Sequence, residues 1–306
     1  MNLALSVSWN ALRHPSVEDA LFEIKGLGFK DIELSFNLTE ELLRDIESHM
    51  REMQIRVVSL HNYCPIPEGF KREEALPDCC SLSSLDEGER ERALYYTKRT
   101  IDTANRLKAR AVVLHCGKVE IPDGTKELIE LYRRGFKDTP SFRDLKTSMV
   151  AQRQGSIKPF LDQTVRSLEE LNKHAKARGV FLGIETRFYY REIPLLDEIG
   201  FLLDRFKDSY IYYWHDTGHA EVMQRLGFFR HQDYLDLYGD RMIGIHLHDI
   251  LKCQDHMAPS QGDFDFTWLR PYVKKETIKV IEAHHPATAA DIKKGKEYLE
   301  KLFYGS

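Results

Sequence analysis

The sequence predicts an α/β protein, a (β/α)8 TIM barrel built as a single domain from residues 1–306. Three observations predict it. Strand-length apolar runs rich in Val, Ile and Leu occur eight times, and amphipathic segments of helix length separate most of them. Four of the later runs finish on a carboxylate or imidazole, at the strand tips where such barrels place their chemistry.

In chain order, strands are expected at 3–8, 31–35, 56–61, 111–115, 180–185, 210–216, 242–248 and 278–283. Helical periodicity covers 17–27, 39–53, 88–108, 159–178, 195–205, 230–239 and 289–303, with Gly28 and Gly179 as stop signals. Two insertions break the rhythm. Residues 62–87 follow the third strand and carry Pro65, Pro67 and Pro77; residues 116–158 follow the fourth and mix a helical pattern at 126–135 with polar loop. Both leave from the face of the strand tips, so both are expected to wall or lid a pocket. Strand alternation places Val57, Ser59 and His61 on one face, Gly183 and Glu185 on one face, and Ile278, Val280 and Glu282 on one face. The last inward residue of each is then the polar one.

With 42% hydrophobic residues the chain can fill a large core, and no composition break or low-complexity tract marks a second domain. The net charge of −4 argues against a dedicated nucleic-acid binder, which carries a basic surplus. The start, Met1 to Trp9, lacks a basic leader and its apolar run is strand-length, so it reads as neither signal peptide nor membrane span. Five cysteines (Cys64, Cys79, Cys80, Cys116 and Cys253) lack C-x-x-C spacing, and the expected location is the reducing cytoplasm.

The tips carry the chemistry. Glu185, Asp216, His246 and Glu282, from strands five to eight, could supply four ligands to one divalent cation and leave positions for two vicinal oxygens. Three carboxylates with one imidazole suit manganese, magnesium or cobalt at least as well as zinc.

The motifs His215 to His219, His246 to Asp249 and Asp255 to Phe266 resemble the xylose isomerase-like barrel superfamily, over essentially the whole chain. That group includes sugar and sugar-phosphate isomerases and epimerases, inosose dehydratases and type-IV apurinic endonucleases. The resemblance implies a shared metal on Glu185, Asp216, His246 and Glu282. His246 is the better match than His248 because the family's ligand precedes an acidic residue, here Asp249, by three positions. It further implies Glu185 and Glu282 as a catalytic acid/base pair in a metal-dependent sugar isomerase or epimerase, acting through an enediolate, with His219 on a substrate hydroxyl. The expected partner is a small sugar, sugar phosphate or related polyol. Arg187 is read either as a substrate-holding cation or as a group orienting Glu185 or pairing with Glu192.

The same resemblance keeps an alternative open. His61 and His115 match histidines that hold an extra zinc in the endonuclease branch, and His219 and His256 match ligands of a further zinc, so up to three zinc ions are implied there. Gln254 stands where that branch has an aspartate, with Asp255 beside it, and the residues after Glu185 depart from its pattern. A non-catalytic ligand-binding barrel is a third reading. Glu33 is expected on the pocket floor, and His215, His284 and His285 as groups behind the ligands. Barrels of this kind often pair through loops at the mouth, so a homo-oligomer stays open as a partner.

Overall fold

A computed structural model of the protein describes residues 2–305. Eight parallel strands close a barrel: β1 (Leu3–Ser6), β2 (Asp31–Leu34), β3 (Arg56–His61), β4 (Ala111–Leu114), β5 (Phe181–Glu185), β6 (Ile211–Asp216), β7 (Met242–Leu247) and β10 (Ile278–Ile281). Each pairs with its sequence neighbour, and β10 closes against β1. Between β7 and β10 lies an antiparallel hairpin, β8 (Asp249–Leu251) and β9 (Gln254–Met257), which the sequence pattern did not announce.

Helices α1 (Val17–Gly26), α2 (Glu40–Met53), α3 (Glu87–Arg106), α6 (Leu196–Arg205), α8 (His231–Tyr238) and α9 (Ala289–Tyr304) fall where 3.6-residue periodicity places them. Ser16, Thr39, Asp86 and Thr288 start four of them, each side chain accepting the backbone N–H of the residue three positions on.

Three expectations need correction. The polar stretch after residue 139 is helical: α5 runs Pro140–Arg178 without a break, so the insertion is α4 (Thr125–Arg133) plus the first half of α5. The helix expected at 159–178 starts instead at Pro140, capped by the Thr139 hydroxyl, with Pro159 inside it. A short helix, α7 (Thr217–Arg225), follows β6 directly, hidden by the Thr-Gly-His sequence. In β3 the expected alternation of Val57 with Ser59 fails. Ile32 pairs with Val57 but Glu33 pairs with Ser59, so Val58 is skipped. This bulge leaves Val57 in the outer core and turns Val58 against the barrel interior, while Ser59 and His61 keep the inward face.

The interior is small. Ala4, Ala111, Val113, Ile278 and Val280 surround Trp214, whose ring needs the space left by Gly183 and Gly244. A Cβ on Gly244 would lie 2.1 Å from Trp214. Trp214 is thereby the plug beneath His246, with ring centroids 5.1 Å apart. A larger outer core joins strands to helices, and a separate apolar cluster packs α4 and α5 against α7 through Leu128, Phe142, Met149, Val222 and Met223. Among the described residues no helix is long and apolar enough to cross a membrane.

Candidate metal centre

Inward positions at the ends of β5, β6 and β7, and the residue after β10, bring Glu185, Asp216, His246 and Glu282 together. One donor atom from each lies within 4.8 Å of the other three, and all four side chains are buried. His246 Nδ1 is the hub, 2.7 Å from Glu185, 2.8 Å from Glu282 and 3.6 Å from Asp216. Its Nε2 donates to Glu33 at 3.0 Å, and Glu33 in turn accepts from Ser59 at 2.7 Å.

Burial opposes every charge in this cluster, and mutual attraction outweighs it. His246 is held well above the ordinary histidine range by Glu282 and Glu33 despite its burial. Against the same desolvation, His115 and His246 hold Glu185 well below the carboxylate range, and His219 and His248 do so for Asp216. Burial likewise raises Glu282, but His246 and His256 bring it below its ordinary value. Three ionised carboxylates facing one imidazole nitrogen form a donor set that a divalent cation fits, with Glu33 orienting the imidazole from behind.

On the β3–β5 side, Glu185 also accepts from His115 Nε2 at 2.8 Å and from Arg187 at 2.6 Å. His61 points its Nε2 at the same carboxylate from 3.9 Å, its Nδ1 donating to the Asn62 carbonyl at 3.0 Å. Asp78 accepts from His115 Nδ1 at 2.8 Å. Burial and Arg187 push His115 down, but Asp78 and Glu185 prevail and raise it to about 9. Arg187 is held among carboxylates: beyond Glu185 it meets Glu192 at 3.1 Å and approaches Asp78 at 3.9 Å, with 3% of its surface exposed, while its Nε has no partner and the side chain also lines the cavity. It bonds to Glu185 and Glu192, as the orienting reading expects, and it borders the cavity, as the substrate-holding reading expects. Sequence reasoning missed Asp78, which sits in a loop without periodicity.

On the β6 side, Asp216 caps α7 by accepting the His219 N–H at 2.7 Å. His219 donates Nδ1–H to the Thr186 carbonyl at 2.9 Å, so its Nε2 carries a lone pair. His248 accepts the His256 N–H at Nδ1 and therefore donates from Nε2 to Asp216, 3.0 Å from both oxygens. His246 and His248 thus divide the work, one facing the carboxylates and one bracing Asp216. His256, with φ of +54°, pairs with Asp255 at 2.9 Å. Burial lowers His256, yet Asp255 and Glu282 raise it to about 9, while burial and that neighbouring charge drive His284, stacked on it at 4.0 Å, to about 3. Gln254 is exposed and stands apart from the donor groups. His215 lies behind Asp216, bonded to Tyr213 and His231, and His285 is exposed.

Among the described residues four further donor groups surround the central one, and the two that contain Glu185 or Asp216 flank it: His61, His115 and Glu185 on one side, and Asp216, His219, His248 and His256 on the other. They share Glu185 and Asp216 with it. A cavity of about 360 Å³ opens above, with His61, His115, Glu185, His219, His256 and Glu282 on its floor. Its rim takes Leu76, Pro77 and Asp78 from the first insertion, and Phe188 and Tyr189 from the loop after β5. The expectation that the second insertion lines the pocket is not met. It props that loop from outside: Tyr190 N–H donates to Thr125 at 3.0 Å and Arg153 to the Glu192 carbonyl at 2.7 Å.

The family model described as xylose isomerase-like TIM barrel matches residues 21–302. The chain belongs to that family. Among solved structures, the fold is similar to a putative xylose isomerase from Rhodospirillum rubrum, with a TM-score of 0.71 and 14% identity, covering 99% of each chain. It is similar to D-allulose 3-epimerase from Methylomonas sp. in complex with D-allulose, at TM-score 0.68 and 13% identity, covering 99% of this chain and 97% of that one. A D-tagatose 3-epimerase-like protein gives 0.65 and 18%, covering 99% and 97%. These likenesses carry the family's fold. By sequence, the uncharacterized protein y4fM of Sinorhizobium fredii is 25% identical over 179 residues, 58% of this chain and 47% of that protein. The chain spans about half the length of this curated relative.

Proposed function

We propose that the chain is a divalent-metal-dependent isomerase or epimerase of a sugar, sugar phosphate or related polyol. One observation carries this reading: Glu185 and Glu282 both line the floor of one cavity while converging on a cation-type donor set. A cavity of about 360 Å³ suits a small polyhydroxylated molecule. Solved structures of similar fold, a D-tagatose 3-epimerase-like protein and D-allulose 3-epimerase, support the same class.

Glu185, Asp216, His246 and Glu282 would hold the cation, which supplies polarisation of substrate oxygens and charge compensation for an enediolate. The protein's own groups move the proton. Both glutamates are held ionised, one to take a proton from the carbon beside the carbonyl and the other to return it. His219 offers its Nε2 lone pair to a substrate hydroxyl. Phe188 and Tyr189 give the cavity an aromatic wall on one side.

A second reading, a zinc phosphodiesterase like the type-IV apurinic endonucleases, is favoured by the two flanking donor groups. The deciding experiment incubates protein loaded with Mn²⁺, Co²⁺, Mg²⁺ or Zn²⁺ with a panel of ketoses and their phosphates in heavy water. Deuterium entering a sugar carbon supports the isomerase. No exchange across the panel, with chelator-sensitive cleavage of abasic-site DNA, would replace it with the phosphodiesterase.

A further inference from the structure

Behind the candidate metal centre a line of buried side chains runs from Glu221 on α7 to Thr186 at the tip of β5. Glu221 lies 3.1 Å from His231 Nδ1, and His231 Nε2 lies 2.9 Å from His215 Nε2. His215 Nδ1 lies 2.6 Å from the Tyr213 hydroxyl, which lies 2.7 Å from the Thr186 hydroxyl. Thr186 Oγ1 accepts the Asp216 N–H at 3.5 Å, and the Thr186 carbonyl accepts from His219. All five side chains are buried, Glu221 the least at 8% exposed.

Hydrogen-bond chemistry assigns every proton in this line. Arg225 Nε donates to Glu221 at 2.9 Å and keeps it an acceptor, so His231 Nδ1 carries hydrogen. Two imidazole nitrogens 2.9 Å apart need one N–H and one lone pair. At the far end Thr186 Oγ1 accepts the Asp216 N–H and gives its own hydrogen to Tyr213, whose hydrogen goes to His215 Nδ1, so the hydrogen between the rings sits on His215 and the lone pair on His231 Nε2. His215 then donates from Nε2 and accepts at Nδ1 from Tyr213. Tyr213, having spent its hydrogen, accepts from Thr186. Each bond leaves its neighbour only one role, with Glu221 at one end of the line and the Asp216 N–H at the other.

We infer that Glu221, His231, His215 and Tyr213 are positioning residues, a one-directional hydrogen-bond wire that fixes Thr186 and through it Asp216 and His219. This rests on the reading that Asp216 belongs to a divalent-cation site. The wire meets the cation's ligands from behind, where orienting partners commonly change affinity 10- to 100-fold. It contributes no group to the cavity lining.

The test uses the full chain with ¹⁵N-labelled histidine, and Mn²⁺ titrated calorimetrically. In the wild type, His231 is expected as the Nδ1–H tautomer, and His215 as Nε2–H. Tyr213→Phe keeps the ring but cuts the wire, and Glu221→Leu removes its anchor; each is expected to weaken Mn²⁺ binding about tenfold. Glu221→Gln, whose amide oxygen still accepts, is expected to stay within about threefold of wild type. Thermal midpoints of the cation-free variants separate loss of fold from loss of positioning, and Tyr213→Phe serves if Glu221→Leu fails to fold. Opposite tautomers, or wild-type affinity in Tyr213→Phe, would overturn the inference. If the wild type binds no Mn²⁺, the cation reading fails. The wire is then judged by the His219 ring nitrogens, whose unchanged shifts in Tyr213→Phe would sink it.

Discussion

His246 and Glu33, 213 positions apart in the chain, meet at 3.0 Å in the floor of the barrel mouth. The contact turns one histidine into a two-sided part. Nδ1 faces Glu185 and Glu282, while Nε2 is committed to a carboxylate that is itself held by Ser59. Glu33 thereby sets which nitrogen faces the cavity floor and makes it more basic.

Glu33→Gln keeps the shape but removes the charge behind the imidazole. Divalent-cation affinity is expected to fall by about 10- to 100-fold, measured by calorimetric titration of Mn²⁺ or Zn²⁺. Wild-type affinity in this variant would mean that Glu33 is only a packing partner.

Glu185→Gln and Glu282→Gln test the proton-transfer pair. Each is expected to lower deuterium incorporation into the sugar by about 10²- to 10⁴-fold, with cation content assayed in the same samples. A variant that keeps its cation and its exchange rate has lost nothing essential, and its glutamate is not the base.

Two glycine substitutions should move stability in opposite directions. Gly244→Ala drives a Cβ to 2.1 Å from Trp214, so a cost of about 1–3 kcal/mol is expected by denaturant unfolding. Gly155→Ala lies in α5 with nothing within 4 Å of the new methyl, and a gain of about 0.5–1 kcal/mol is expected. A neutral Gly244→Ala would show that the barrel interior yields more readily than close packing implies.

Lys279 supplies a pH signature distant from the candidate site. Its ammonium, on the outer face of β10, donates to the Lys274 and Thr277 carbonyls at 3.1 and 3.0 Å. Burial lowers it from 10.5 to about 8, partly offset by Glu276. Between those values the unfolded chain binds more protons than the folded one, so this residue makes stability rise with pH across about 8 to 10.5. His115 and His256, raised to about 9, act in the opposite sense: their contribution is present below the ordinary histidine value and is lost as pH climbs through 9. The difference between wild type and Lys279→Met isolates the lysine. If the two unfolding profiles stay parallel from pH 8 to 10.5, Lys279 titrates normally.

The sequence by itself determined the barrel, and its strand ends together with the family resemblance pointed to the four candidate donors. Period-two alternation and strand length are written in consecutive residues, and a polar residue closing an apolar strand reports the mouth of the barrel. Only the tertiary structure decided which groups act on those donors. Asp78 reaches His115 from 37 positions away, His248 braces Asp216 from 32, and Arg153 holds the Glu192 carbonyl from 39. No local pattern encodes such distances. The bulge at Val58 and the continuous α5 escaped for a related reason: strand pairing and packing against α7 overrode what alternation and the polar stretch before residue 159 suggested. Local chemistry named the candidate donors, and long-range packing chose their partners, their tautomers and their charge.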